Sequence, residues 1–254
     1  MAKTKKNELA TTPEEKPSWL KPVGENEVVE GMENMRPGDL LVPRLVLMQG
    51  LSPQVVEGEK VAGEVLNSLT AELILEKNAI KEFVPVYHYL EWIKWDDRET
   101  GGGIQARSLD PEGELAQMAM RQVKRTNSKG NEVLVVTEYH NFIVLFPDDK
   151  QPIPHVISCA KTNIKKGKKL LGLARFRGRY PLFAGKYTVQ AILERNSKNQ
   201  TYYVFEFTNA GWASKENYKE YEKLYTTLKE AYQQRRLVSD QEVEHPIESN
   251  EEEM

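Results

Sequence analysis

Eight positively charged side chains occur between residues 161 and 179, and no acidic residue interrupts them. Such a stretch can contact the phosphate backbone of a nucleic acid, because each neutralised phosphate releases bound counterions. Exposed helices usually mix both signs of charge, so a solvated helix face is the weaker alternative. The stretch predicts a nucleic-acid interface. Its cations are Lys161, Lys165, Lys166, Lys168, Lys169, Arg175, Arg177 and Arg179.

Two further groups of residues could take part in the same chemistry. Aromatic rings stack on bases in proteins that bind single strands. Phe176 and Tyr180 lie inside the basic stretch and Trp92 lies in an aromatic-rich segment, so we add these three to the candidate site. A second, smaller basic cluster consists of Arg121, Lys124, Arg125 and Lys129.

The C-terminal residues 239–254 carry the opposite charge, with seven acidic side chains and no Lys or Arg. An acidic tail can compete with a polyanion for a basic site, or it can recruit partner proteins. A role in solubility alone is the alternative. The candidate partner-binding residues of the tail are Glu248, Glu251, Glu252, Glu253 and Met254.

Catalytic motifs are weak in this sequence. The basic KKGKK segment lacks the preceding Gly and the following Ser or Thr of a nucleotide-binding P-loop. His155 and Cys159 are four residues apart, but two ligands do not make a zinc site. The PDDK segment at 147–150, with Glu138, is only faintly similar to a metal-dependent nuclease motif. We therefore expect no enzyme, no metal and no cofactor.

The elements that position these residues are mainly β-strands. Alternating apolar residues predict strands over 81–95 and 132–146, and a hairpin over 186–207. Within 81–95, strict alternation places Phe83, Tyr87 and Tyr89 on the same face. Helical spacing predicts helices over 161–176 and 215–236, the second with a tyrosine-rich face.

Strands and helices do not alternate regularly, which argues against a doubly wound parallel sheet. We expect an α+β fold, mainly β, in which an OB-like small barrel, closed or half-closed, carries a C-terminal helix. Both ends are poor in apolar residues, which predicts disorder over 1–36 and 238–254 around a single domain at 37–237.

The composition is typical of a protein in a reducing compartment. Its single cysteine excludes an intrachain disulfide, and the first residues lack the apolar stretch of a secretory signal. No segment reaches the roughly 18 apolar residues of a membrane span. We expect a soluble, cytoplasmic protein. Its formal net charge of −3 conceals the separation between the basic stretch and the acidic tail.

The layout resembles phage-encoded single-stranded DNA-binding proteins of the OB-fold type. Two segments, PRLVLMQGLSPQV at 43–55 and YPLFAGKYTVQAILERNSKNQTYYVFEFTNAGW at 180–212, look like stretches of phage DNA-metabolism proteins. The acidic ending ESNEEEM resembles the tails through which that family contacts replication proteins, although those tails end in Phe and this chain ends in Met254. The resemblance implies a DNA polymerase, helicase or recombinase as a partner of the tail.

Residues and resemblance together predict a protein that coats single-stranded DNA during replication or recombination, with little sequence preference. If it is phage-encoded, it would act in the host cytoplasm and could form a homo-oligomer. A non-enzymatic virion structural or assembly protein is the second hypothesis, with the tyrosine-rich helix serving subunit contacts. A recombination nuclease or an annealing protein is a third.

Overall fold

An antiparallel sheet built on one long strand organises the chain. The computed structural model describes residues 42–96, 103–127, 130, 132–149, 153–196 and 199–233. Its strands are β1 (Leu45–Leu47), β2 (Val65–Asn67), β3 (Leu73–Leu75), β4 (Ile80–Trp95), β5 (Ile104–Ser108), β6 (Lys124–Thr126), β7 (Glu132–Leu134), β8 (Val136–Leu145), β9 (His155–Ala160), β10 (Gly185–Arg195) and β11 (Thr201–Trp212). Its helices are α1 (Pro53–Val56), α2 (Glu114–Met120), α3 (Ile164–Phe176) and α4 (Lys215–Gln233).

The main sheet has the order β11-β10-β4-β8-β9, and β5 pairs with β4 beside this path. β4, β8 and β9 are antiparallel neighbours, and β10 returns after α3 to lie on the other side of β4. The order 10-4-8-9 is that of a Greek key. Separate small sheets are formed by β1–β3 and by the β6–β7 hairpin.

The predicted class, mainly β with added helices, is confirmed. Within the described residues, however, strand pairing does not close a barrel, because β11 and β9 remain at opposite edges of the sheet. Helix α3 packs against both edge strands and against β8. In a closed barrel β9 and β11 would pair with each other, whereas here α3 contacts both of these strands.

A β-bulge in β4 overturns part of the predicted face assignment. The pairing of β4 with β8 shifts between Pro85 and Tyr87, which inserts one residue and moves the following side chains to the opposite face. Tyr89 therefore packs with Val84 and Val86, while Phe83 belongs to the core on the other face. The predicted shared face is therefore wrong for Phe83, whereas Tyr87 and Tyr89 lie on the same face as predicted.

The two faces of the sheet hold different cores. One face carries α3 and the β1–β3 sheet over an aromatic cluster that includes Phe83, Phe142 and Phe207. The other face carries α4, whose Tyr221 and Leu228 are buried. The predicted tyrosine-rich face of this helix is confirmed. This face packs against the sheet of its own chain, because Tyr218, Tyr225 and Tyr232 contact the same hydrophobic cluster.

A buried polar network lies in the middle of the sheet. The Glu91 carboxylate is fully buried and accepts hydrogen bonds from Arg107 Nε at 2.6 Å and from Asn141 Nδ2 at 2.8 Å. Ser158 Oγ donates to Asn141 Oδ1 at 2.7 Å, which extends the network across β4, β8 and β9. A buried carboxylate is tolerated only with such partners, so we assign the network to structure.

The predicted domain boundaries concern the two ends of the chain. The N-terminal segment 1–36 and the acidic tail 238–254 lie outside the described residues. Among the helices that the structure describes, none combines the length and apolar character needed to cross a membrane.

Candidate nucleic-acid interface

Helix α3 presents the basic stretch predicted from the sequence. A 3₁₀ turn (Lys161–Asn163) precedes it, and Asn163 Oδ1 accepts a hydrogen bond from the Phe205 backbone N–H at 2.9 Å, which ties the start of the helix to β11. Leu170 points into the core and is fully buried. The opposite side of the helix is exposed and carries Lys165, Lys168, Lys169, Arg175 and Phe176.

Close packing of α3 on the sheet depends on Gly167. A Cβ atom at this position would lie 2.8 Å from Cys159 Cβ and 3.1 Å from His140 Cβ, so only glycine fits. Gly172 is different, because a Cβ atom there would meet no atom within 4 Å. Packing of the helix on the sheet therefore requires glycine at position 167 but not at position 172.

Three of the eight predicted cations form ion pairs with residues that the structure describes. Lys166 Nζ lies 2.7 Å from both Glu194 Oε1 and Glu206 Oε2, and its side chain is largely buried. Lys169 also pairs with Glu206. Lys168 Nζ lies 3.7 Å from Glu138 Oε1. The surface of α3 is therefore less positive than the sequence of the helix alone indicates.

A groove of about 420 Å³ opens beside the first turns of α3. Lys161 and Lys165 line it and are exposed, and neither forms an ion pair with another residue that the structure describes. Lys161 has a φ of 48°, a left-handed conformation that is uncommon outside glycine. The other lining residues are Thr162, Lys166, Lys169, Glu194 and Tyr202.

Arg177 faces the protein instead of solvent. Its guanidinium donates to the carbonyl oxygen of Lys186 at 2.8 Å, and also to the Gly211 carbonyl and to Asn209 Oδ1. The guanidinium carbon lies 4.6 Å from the ring centre of Tyr187. These contacts occupy the side chain, so its predicted role in phosphate binding is not supported by this geometry.

Exposed aromatic rings cluster near the end of α3. Phe176 is 92% exposed and Tyr180 is 64% exposed, which is unusual for rings of this size. Trp212, at the end of β11, is 54% exposed and meets Tyr180 edge to face at 5.1 Å between ring centres. Sequence reasoning missed Trp212, since nothing in the sequence of β11 indicates that its last residue lies beside Tyr180. Arg175 and Arg179 are exposed in the same part of the chain.

Trp92 does not belong to this surface. Only 4% of the residue is exposed, and its ring packs with Ala116 and Val136 in a small core under α2. The prediction that Trp92 stacks on bases is therefore wrong. The aromatic-rich sequence of β4 is as consistent with a core residue as with a base-stacking one. In this structure both faces of β4 are covered, so Trp92 is a core residue.

The second basic cluster lies on the connection between β4 and β8. Arg121 is exposed just after α2. Lys124 Nζ pairs with Glu132 Oε2 at 2.9 Å across the β6–β7 hairpin, and Arg125 Nη2 donates to the Trp95 carbonyl oxygen at 3.0 Å. Lys129 lies outside the described residues, as do Glu248, Glu251, Glu252, Glu253 and Met254 of the tail.

The titratable groups near α3 form a partly buried chain. His88 Nε2 lies 3.1 Å from His140 Nδ1, and His140 Nε2 lies 3.2 Å from Glu138 Oε1. Burial and the neighbouring His140 lower the pKa of His88 to about 4, and burial lowers that of His140 as well. Both rings are therefore neutral at pH 7 and link the sheet to the base of α3.

Burial also raises the pKa of the Cys159 thiol to about 12, so this cysteine is no nucleophile at neutral pH. His155, the other member of the His155–Cys159 pair, donates a hydrogen bond from Nδ1 to the Ile153 carbonyl oxygen at 2.8 Å. In the part of the chain that the structure describes, no three His, Cys, Asp or Glu residues are grouped as metal ligands.

Comparison with known proteins identifies the family. The model of the Pam3 phage gp34-like protein family matches residues 5–234, which is most of the chain. The chain belongs to this family. It is therefore a phage protein, as the resemblance of its layout to phage-encoded proteins implied. No curated protein and no solved structure matches it.

The structure thus divides the predicted interface into two parts along α3. One part is the groove at the start of the helix, with Lys161, Lys165, Lys166 and Lys169. The other part lies at the end of the helix and just beyond it, where Phe176 and Tyr180 are exposed. A helix of 13 residues is about 20 Å long, so one extended polymer could contact both parts.

Proposed function

We propose that this phage protein binds single-stranded DNA with little sequence preference and coats it during replication or recombination in the host cytoplasm. The observation that carries the proposal is the group of exposed rings, Phe176, Tyr180 and Trp212, beside the exposed Arg175 and Arg179. Rings that protrude into solvent among cations suit a strand whose bases are unpaired, because every base has a face on which an aromatic ring can stack.

The topology supports an OB-like origin of the domain. An OB-fold is a partly open, five-stranded Greek-key barrel. The path β11-β10-β4-β8-β9 has five strands in Greek-key order, and α3 bridges its two edges. In OB-folds the connection between the first two barrel strands contributes to oligonucleotide binding. The corresponding connection here, between β4 and β8, carries Arg121, Lys124 and Arg125.

The acidic tail would act on the same surface. Its seven carboxylates can compete with DNA phosphates for the basic groups, and they can recruit a DNA polymerase, helicase or recombinase. This competition between the tail and DNA would weaken non-specific binding to other polyanions, whereas tight binding to long single strands would remain. The chain has no need of catalytic groups for this role.

A second candidate is a virion structural or assembly protein, because exposed aromatic rings also suit a contact between protein subunits. The tyrosine-rich face of α4 gives this candidate no support, since it packs against the sheet of its own chain. The exposed rings near Trp212 are therefore the feature on which both candidates depend.

Fluorescence anisotropy distinguishes the two candidates. Labelled oligo-dT and a matched duplex are titrated with the full chain at several salt concentrations. Tight binding to the single strand that weakens steeply with salt, with little binding to the duplex, supports the proposal. An absence of binding at low salt overturns it, and sedimentation of the same sample then tests for defined oligomers.

A further inference from the structure

The groove at the start of α3 holds more positive than negative charge. Four lysines line it, and the carboxylates of Glu194 and Glu206 lie among them. At neutral pH these six side chains sum to a charge of about +2 if all are ionised. A net positive groove of about 420 Å³ is large enough for a phosphate group.

The two carboxylates lie where a phosphate would bind. Glu206 pairs with both Lys166 and Lys169, and Glu194 with Lys166 at 2.7 Å. A carboxylate in contact with two ammonium groups makes the interactions that a phosphate oxygen would make. The pairs also hold two flexible lysine side chains in place, which reduces the entropy lost when an anion binds.

We propose that this groove is a binding site for one backbone phosphate of the bound strand and that Glu206 is its internal competitor. In the free protein Glu206 holds Lys166 and Lys169. When a strand binds, a phosphate oxygen takes over one or both lysines, with Lys161 and Lys165 as additional contacts. The inference relies on the proposed function for the identity of the strand.

The chemistry of the lining favours phosphate over a carboxylate ligand. Lysine is a point-charge donor that suits the several oxygens of a phosphate, whereas bidentate recognition of a carboxylate relies on arginine. Among the described residues, no arginine lines the groove. Thr162 adds a hydroxyl donor, and the Tyr202 ring forms one wall.

The deciding variant is Glu206→Gln, which keeps the shape of the side chain and removes its charge. It frees one or two lysines, so the plot of log affinity against log salt for oligo-dT should steepen by about 0.7 to 1.4. Affinity at low salt should rise by about three- to tenfold. The matched control is Asp149→Asn, which releases Lys81 from a 2.9 Å ion pair outside the groove and changes the net charge equally.

Inorganic pyrophosphate is the second probe and requires no nucleic acid. It should raise the melting temperature of the wild-type protein, and raise that of Glu206→Gln more. Lys165→Ala should reduce this shift and weaken oligo-dT binding, and because Lys165 is exposed this variant remains informative even if Glu206→Gln does not fold.

The outcomes separate the two proposals. Wild-type binding to oligo-dT that neither Glu206→Gln nor Lys165→Ala alters overturns the phosphate site and leaves the proposed function standing. An equal gain in Glu206→Gln and Asp149→Asn also overturns the site, since net charge alone would explain it. A pyrophosphate response without any oligo-dT binding supports a phosphate site in the groove, but overturns the proposed function and with it the assignment of that phosphate to a DNA strand.

Discussion

The guanidinium of Arg177 lies over the indole ring of Trp212, with 5.1 Å between the guanidinium carbon and the ring centre. Tyr187 lies 4.6 Å from the same carbon, and the Lys186 carbonyl oxygen accepts a hydrogen bond from the guanidinium. Arg177 therefore connects the end of α3 to the end of the β10–β11 hairpin. A residue predicted to contact DNA instead positions a ring of the exposed cluster.

Replacing Arg177 with alanine should destabilise the fold by about 2 kcal/mol, because charge-assisted hydrogen bonds and a cation–π contact are lost together. Urea denaturation followed by circular dichroism measures this change. Arg175→Ala is the matched control, since Arg175 is exposed and should change stability by less than about 0.5 kcal/mol. Equal midpoints for the two variants would contradict the role assigned to Arg177.

Removing the ring of Phe176 should weaken single-strand binding and leave folding intact. Each stacked base contributes about 1–3 kcal/mol, so Phe176→Ala should reduce oligo-dT affinity by about 5- to 150-fold. Because the ring is 92% exposed, the free energy of unfolding should change by less than about 0.5 kcal/mol. Leu193→Ala, at a residue 54% exposed, is the control. A similar loss of affinity in both variants would count against base stacking.

The two glycines of α3 should respond to alanine in opposite ways. Gly172→Ala should stabilise the protein by about 0.5–1 kcal/mol, because alanine is the better helix former and the new methyl group meets no atom. Gly167→Ala should destabilise it by about 1–3 kcal/mol, because the methyl group would overlap Cys159 and His140. Thermal denaturation of both variants measures the difference, and stabilisation by both substitutions would show that α3 is not packed closely at Gly167.

Local pattern predicted much of this fold, because helices and hairpins depend on spacing within a short window. The basic helix, the tyrosine-rich helix and the β10–β11 hairpin were all found in this way. The bulge after Pro85 was not, because its position depends on how β4 pairs with β8. The same limit applies to charge, since Glu206 neutralises Lys166 from a strand 40 residues away in sequence.

The buried position of Trp92 was missed for a related reason. An aromatic residue in a strand has the same sequence signature whether its face is exposed or covered, and α2 covers this one. Trp212 is the converse case, a ring at the end of a strand that tertiary structure leaves exposed. Sequence therefore located the candidate helix, and tertiary contacts determined which side chains remain available on it.

Stability should fall as the pH is lowered from about 6.5 towards 4. Burial and His140 lower the pKa of His88 to about 4 in the folded protein, whereas an unfolded histidine titrates near 6.5. The unfolded state therefore binds more protons across this window, so the stability that is present above pH 6.5 is lost as the pH falls, by about 1 kcal/mol per unit.

The measurement is the urea midpoint at pH 7, 6 and 5 for the wild type and for His88→Gln. The variant should show a shallower pH dependence. Some dependence should remain, because burial also lowers the pKa values of His140 and His155. An identical slope in both proteins would show that His88 is not the group responsible.

Deleting residues 238–254 should tighten binding to oligo-dT at low salt. The deletion removes seven carboxylates that can compete with phosphates for the basic surface. Competition between charges is screened by salt, so the gain should shrink as ionic strength rises. Substituting Glu251, Glu252 and Glu253 with glutamine keeps the length of the tail and should give a smaller gain in the same direction. If anisotropy shows the same affinity and the same salt dependence for the full chain and the truncated one, the tail does not compete with DNA, and a role in recruiting partners is what remains for it.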